Sequence, residues 1–207
     1  MIKFGTGGWR AIIGEDYIKD NVVLVAQAVA NMMIEENVTE EGLVVGYDRR
    51  FLSDRSAMWV CEVMAGNGIP VQIINKISPT PLIMYYAKTH GNHYGMAITA
   101  SHNPAEYNGI KIFTLGGRDA TEEVTGKVEA IIEKLSKEDV KVMEYDEALA
   151  SGLVKEINPF NDYIDTILGM LNVSAIRERG LKVLVDPMFG VSKNSLQALL
   201  ISCRCEV

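Results

Sequence analysis

Apolar residues crowd into short runs along this chain: LVVGYD at Leu43–Asp48, PVQIIN at Pro70–Asn75 and YGMAITA at Tyr94–Ala100. Each run is apolar at successive rather than alternate positions, the pattern of a strand covered on both faces. Between them, over Ser53–Asn67 and Pro79–Thr89, the pattern is helical, as it is earlier over Asp20–Glu36. In that earliest segment Val22, Val25, Ala26, Val29 and Met33 recur at helical spacing, and Asp20 is the expected N-cap. Strands alternating with helices predict right-handed crossovers. The predicted class is α/β, with a mixed, mostly parallel sheet sandwiched between helices.

Past Ala100 the pattern changes. Asn108-Gly109 between apolar runs reads as a turn, so the strand Ile110–Thr114 is expected to leave the crossover pattern and run antiparallel. A helix over about Glu122–Leu135, a charged stretch and a new helix after Asn158-Pro159 follow. LKVLVDP (Leu181–Pro187) reads as a buried strand, Gly190–Leu200 as its helix and Cys205–Val207 as the opening of another strand. That is the start of a second α/β unit, too short to bury its own apolar strand. The expected organisation is a first domain over 1–158, connecting helices over 159–180 and a truncated start of a second domain over 181–207. We therefore expect the chain to be part of a longer protein, or its tail to dock elsewhere.

The composition changes this picture little. With 48% apolar and 23% charged residues, the chain has the balance of an ordinary globular protein. No apolar run approaches the roughly 20 residues that span a bilayer. MIKFGTGGWR is not a signal peptide, because Gly, Thr and Arg interrupt where an apolar core should be. A cytoplasmic setting is the default expectation, with no membrane partner. The net charge of −7 argues against nucleic-acid binding, but not against an anionic small substrate met by a few converging arginines. Cys61 sits in a helical pattern, and the Cys203-Arg204-Cys205 spacing has no second cluster to complete a zinc site. Buried or inert thiols are expected.

Three places could carry chemistry. Ser101 follows a buried strand, where the functional loops of α/β sheets lie, and Pro104 keeps Asn103 out of helix. Its flanks are not Gly-x-Ser-x-Gly, which excludes the hydrolase elbow. His102 is a poor base for Ser101 if the backbone is extended, because adjacent side chains then diverge. Lys111 stands on an otherwise apolar strand, and a lysine against apolar surface loses its charge readily and can accept a proton. GTGGWR (Gly5–Arg10) is the second place: glycines permit close approach, and Arg10 has the planar fork that suits phosphate. GYDRR (Gly46–Arg50) ends a strand, with Arg49 read as surface and Arg50 as a positive rim. His90 and His93 are expected to be structural. Taken singly, each feature has a bland reading as a turn or a solvated charge.

Together they point further. TASHNPAEYNGIK (Thr99–Lys111), with GTGGWR and GYDRR before it, resembles the α-D-phosphohexomutase superfamily of phosphoglucomutases and phosphomannomutases. The resemblance implies that Ser101 carries a phosphoryl group and moves phosphate between C1 and C6 of a hexose, through a hexose 1,6-bisphosphate. It further implies Lys111 in proton transfer, Arg10 on phosphate, and His102 and Asn103 shaping the serine loop and touching substrate. Arg50 takes a supporting place beside the phosphate. The family's Mg2+ is held by the serine phosphate, hence Ser101, and by an Asp-Gly-Asp-x-Asp-Arg loop that this sequence lacks. The remaining ligands are expected beyond residue 207, and residues 1–207 alone are expected to be inactive. Gly7-Gly8-Trp9 and Tyr107 lean away from phosphoglucosamine mutases, which stay as an alternative beside a non-catalytic, phosphate-responsive binding module.

Overall fold

The computed structural model describes residues 2–5 and 7–207; Met1, and Thr6 of the GTGGWR motif, lie outside the described residues. The elements run β1 (Phe4–Gly5), β2 (Gly8–Ile12), α1 (Lys19–Glu35), β3 (Leu43–Tyr47), α2 (Ser53–Gly66), β4 (Val71–Ile74) and α3 (Thr80–His90). They continue with β5 (Tyr94–Ile98), β6 (Tyr107–Thr114), β7 (Arg118–Asp119), α4 (Glu122–Ile132), α5 (Tyr145–Ser151) and β8 (Val154–Ile157). The chain ends with α6 (Phe160–Met170), α7 (Val173–Arg179) and α8 (Ser192–Ser202).

One sheet takes the order β1-β2-β6-β5-β3-β4-β8, with β7 paired to β6. β5, β3, β4 and β8 are mutually parallel, whereas β6 is antiparallel to both its neighbours, β5 and β2. The mixed sheet and its antiparallel strand thus match the sequence reading. The layers follow from a period of two in the buried strands. Leu43 and Val45 of β3, Met96 and Ile98 of β5 and Ile110 and Ile112 of β6 face a core shared with α1, α2, α4 and α5. Val44, Ala97 and Phe113 face the opposite core, under Leu82, Ile83 and Ala87 of α3 and beside Phe160 and Tyr163 of α6. Each fully buried Val, Leu, Ile, Phe or Met contributes about 1.5–3 kcal/mol of burial. Two-sided burial of this kind holds the strand ends rigidly enough to present a site.

Several local expectations are corrected. α1 begins at Lys19 with Ile18 at the cap position, so Asp20 lies in the first turn rather than capping it. Asn108-Gly109 is not a turn but part of β6, in register with Ala11 and Arg10; the chain reverses earlier, over residues 101–106. β8 emerges from the charged stretch as an edge strand, and GTGGWR contributes to both strands of the β1–β2 hairpin. Leu181–Pro187 is not a buried strand. Leu184 is 98% exposed, and the segment makes only a bridge between Lys182 and Glu206. A strand needs a neighbour for its backbone groups, and here the short Cys205–Val207 segment is the one that pairs. His90 stacks on Tyr86, and His93 packs at an angle on Tyr94. Cys61 and Cys203 are buried and Cys205 is half-buried, all as free thiols.

Candidate functional site

The carboxyl ends of β3 and β5 lie side by side, tied by the Asp48 N–H donating to Ile98 O at 3.1 Å. From one end leaves the segment Asp48–Arg50, from the other the loop Ser101–Glu106. An open cavity of about 770 Å³ lies over them, lined by Asp48, Arg49, Arg50, Ser101, His102 and Asn103, and walled opposite by Pro187–Val191. Such a crevice outside the strand ends is where open α/β sheets bind ligands.

Ser101 is exposed and adopts φ +57°, the left-handed region. Its N–H donates to Thr99 Oγ1 at 2.9 Å, which fixes the turn out of β5. Two further turns carry the loop into β6: the Asn103 N–H donates to Ala100 O, and the Tyr107 N–H to Pro104 O. The left-handed residue overturns the premise about His102. The backbone is bent rather than extended there, and His102 Nδ1 lies 3.3 Å from Ser101 Oγ.

Arg50 reaches under this loop. Its Nη1 donates to Pro104 O at 2.7 Å and Tyr107 O at 2.9 Å, and its Nη2 to Ser101 O at 2.9 Å and Asn103 O at 2.6 Å. Asp48 stands behind it, with Oδ2 3.4 Å from Arg50 Nε and Oδ1 accepting from the Arg50 N–H and from Ser53 Oγ. Ser53 Oγ in turn accepts from Asn108 Nδ2, whose amide is fully buried and also bonds Phe51 O and the Gly109 N–H. Arg49, by contrast, is exposed on the cavity wall.

Arg10 arrives from β2, opposite Gly109 in register. A Cβ at 109 would sit 2.2 Å from Trp9 O and 3.1 Å from Arg10 Cγ, so glycine is what lets the arginine lie across β6. Arg10 Nη1 donates to Asn103 Oδ1 at 3.3 Å, and its buried Nε has no partner among the described residues. Beneath the hairpin Trp9 stacks on Tyr17, whose phenol is pushed well above its ordinary pKa by burial. Lys111 lies apart from this group. Like Arg10 it does not line the cavity, but where Arg10 bonds Asn103 its ammonium donates to Asp119 Oδ1 at 2.9 Å.

The structure thus gathers Ser101, His102, Asn103, Arg10 and Arg50, and leaves Lys111 with a carboxylate of its own. Sequence reading missed Asn108 as a buried bracket and Asp119 as a partner. The second was within reach, since Gly116-Gly117 between Thr114 and Arg118 is a hairpin signal. Among the described residues no grouping of three or more His, Cys, Asp or Glu could hold a metal ion, and no helix is long and apolar enough to cross a membrane.

A family model described as phosphoglucomutase/phosphomannomutase, alpha/beta/alpha domain I, matches residues 1–139. A probable phosphoglucosamine mutase of Methanobrevibacter smithii is 30% identical over 204 residues, covering 99% of this chain and 43% of the relative. A phosphoglucomutase/phosphomannomutase of Thermococcus kodakarensis is 30% identical over 205 residues, again 99% of this chain and 43% of the relative. A solved structure of a putative phosphomannomutase from Thermus thermophilus superposes with a TM-score of 0.82 at 24% identity, covering 100% of this chain and 44% of that one. That likeness establishes the α/β fold. The chain spans about two fifths of the length of the relatives it matches.

Proposed function

This chain belongs to the phosphoglucomutase/phosphomannomutase family, whose domain I it carries, and from that premise we propose that it is the N-terminal part of a phosphohexomutase with Ser101 as the phosphoryl carrier. The observation that carries this reading is the exposed Ser101, bent into the left-handed region at the end of β5 beside an open cavity. Phosphoryl transfer asks a protein mainly for positioning and charge neutralisation. In the proposed reaction a hydroxyl oxygen of a hexose monophosphate attacks the phosphorus on Ser101. The bond from phosphorus to the serine oxygen breaks, and the proton given up by the attacking hydroxyl ends on that serine oxygen. The bisphosphate so formed turns over and returns its other phosphate to Ser101, leaving the phosphate moved between C1 and C6. Arg10 is assigned to phosphate on the family pattern, Asn103 holds that arginine to the loop, and His102 lies at hydrogen-bond range of the serine oxygen. Lys111 is assigned proton transfer on the family pattern alone.

Membership of the family implies Mg2+ in the full-length enzymes. The donors among the described residues do not fit a magnesium site: Ser101 would supply one oxygen, and no carboxylate cage accompanies it there. In the proposed organisation 1–158 form domain I, 159–180 connect, and 181–207 begin a second domain.

The sugar has two readings. Glucose or mannose phosphate is favoured by Gly7-Gly8-Trp9 and Tyr107. Glucosamine phosphate is supported by several relatives that are named phosphoglucosamine mutases. Phosphopeptide mass spectrometry on the protein isolated from its cells is the test of the carrier. Phosphate on Ser101 is expected, and phosphate found only on another residue overturns the reading. Comparing glucose, mannose and glucosamine 1-phosphates as substrates of the whole gene product decides the sugar. Residues 1–207 alone are expected to turn over none of them.

A further inference from the structure

We propose that Arg50 is a positioning residue: its guanidinium, oriented by Asp48, holds the loop that presents Ser101 in its left-handed form, and does not itself carry phosphate. Both terminal nitrogens are fully engaged. Nη1 and Nη2 together have four N–H groups, and four backbone carbonyls accept them, those of Ser101, Asn103, Pro104 and Tyr107. The remaining N–H, on Nε, faces the Asp48 carboxylate. No donor is left for an anion in the cavity.

The four carbonyls come from both arms of the loop and converge on one point. Without a cation between them, their oxygens would repel one another, and the loop would open toward solvent. A planar fork with fixed donor directions can bond four oxygens at once, whereas an ammonium has three donors around a single nitrogen. The arginine is itself held from behind. Asp48 accepts from the Arg50 N–H and Ser53 Oγ, and Ser53 accepts from Asn108, which brackets the opposite end of the loop at Gly109. The start of α2, the end of β3 and the start of β6 are thereby coupled to the conformation of one serine. The geometric part of this inference stands without any phosphoryl chemistry; its catalytic consequence rests on Ser101 being the carrier.

Amide hydrogen exchange on the whole chain tests it, read at Ser101, Asn103 and Tyr107, whose N–H groups are bonded within the loop. Arg50→Ala and Arg50→Lys are expected to speed exchange at these amides tenfold or more while β3 and β5 stay protected. Methylguanidinium, and not methylammonium, is expected to restore protection in Arg50→Ala. Arg49→Ala, which removes an equal charge from the same cavity, is expected to leave the loop as it is. Wild-type exchange in Arg50→Lys, or equal rescue by methylammonium, overturns the proposal. If Arg50→Ala opens the whole sheet, Arg50→Lys decides, because it keeps a cation beside Asp48. In the whole gene product the same lysine variant is expected to lose kcat at least tenfold with KM for the sugar phosphate little changed; a rise in KM alone would make Arg50 a substrate contact. A wild-type protein with no phosphate on Ser101 would overturn the carrier reading, and the exchange result would still decide the clamp.

Discussion

Lys111 Nζ donates to Asp119 Oδ1 at 2.9 Å, joining adjacent strands of the β6–β7 hairpin. The lysine side chain is 18% exposed and the aspartate 52%, so the pair is half in water. Pairs of this kind contribute at most about 1 kcal/mol to stability. Asp119→Asn should therefore shift a urea unfolding midpoint only slightly. Its larger expected effect is on access: freed from its partner, the Lys111 amine should be modified faster by an acylating reagent, relative to the other lysines. Unchanged labelling would show that burial by the sheet, rather than Asp119, holds this amine.

Asn108 is a fully buried amide with every bond directed: two donated, to Phe51 O and Ser53 Oγ, and one accepted from the Gly109 N–H. Asn108→Ala strands those partners in the interior, and an unsatisfied buried group costs about 1–3 kcal/mol. Asn108→Asp should cost more, because it replaces two donors with a carboxylate beside the existing charge of Asp48. Chemical denaturation of the two variants checks both the size and the order of the losses.

Much of this could be read from the sequence because the interior strands advertise themselves. Leu43–Tyr47 and Tyr94–Ile98 have no polar face to hide, and Ser101 stands just past the end of the second. What escaped reading depended on partners distant in the chain. Val154–Ile157 carries Lys155 and Glu156 and is a strand only because Val71–Ile74 offers it an edge. Leu181–Pro187 has the stronger apolar pattern and stays exposed for want of such an edge. Asp48-Arg49-Arg50 names two arginines without saying which turns inward. That is decided by Asp48 bonding the Arg50 N–H and by four carbonyls more than fifty residues away. The bend at Ser101, which brings His102 to its side, is likewise a property of the folded loop and not of the residue order.

Glu129 pins the N-terminal hairpin from α4. Its Oε1 accepts from the Phe4 N–H at 2.6 Å and its Oε2 from Lys3 Nζ at 3.0 Å. The Phe4 N–H first, and the Lys3 ammonium second, hold this carboxyl below its ordinary value. A lowered folded value stabilises at every pH above the unfolded carboxyl, about 4.3, and the stabilisation is lost as the pH falls through the folded value. The hairpin that supplies Arg10 should therefore loosen in acid, seen as faster exchange at Phe4 and at the β2 amides. Lys3 gives the opposite limb: its amine is raised by Glu129, so its share is present below the ordinary lysine value and lost as the pH rises through the raised one. Glu129→Gln should flatten the acid limb.

Three glycines should respond to alanine in three different ways. At Gly126, in the exposed middle of α4, an added Cβ meets nothing within 4 Å. Gly126→Ala should stabilise the chain by about 0.5–1 kcal/mol, the helix preference of alanine over glycine. At Gly46 the Cβ would lie 2.7 Å from Cγ1 and Cδ1 of Ile83, the far part of a side chain that can turn. Overpacking of that sort costs about 1–3 kcal/mol. At Gly109 the obstacle is backbone, with Trp9 O at 2.2 Å and Thr99 O at 3.0 Å, and nothing there yields without parting β2 or β5 from β6. Gly109→Ala should exceed the Gly46→Ala loss, and it should also release Arg10 from Asn103. Thermal melts of the three variants give the order, and equal losses at 46 and 109 would mean that the close approach of β2 is softer than its geometry implies.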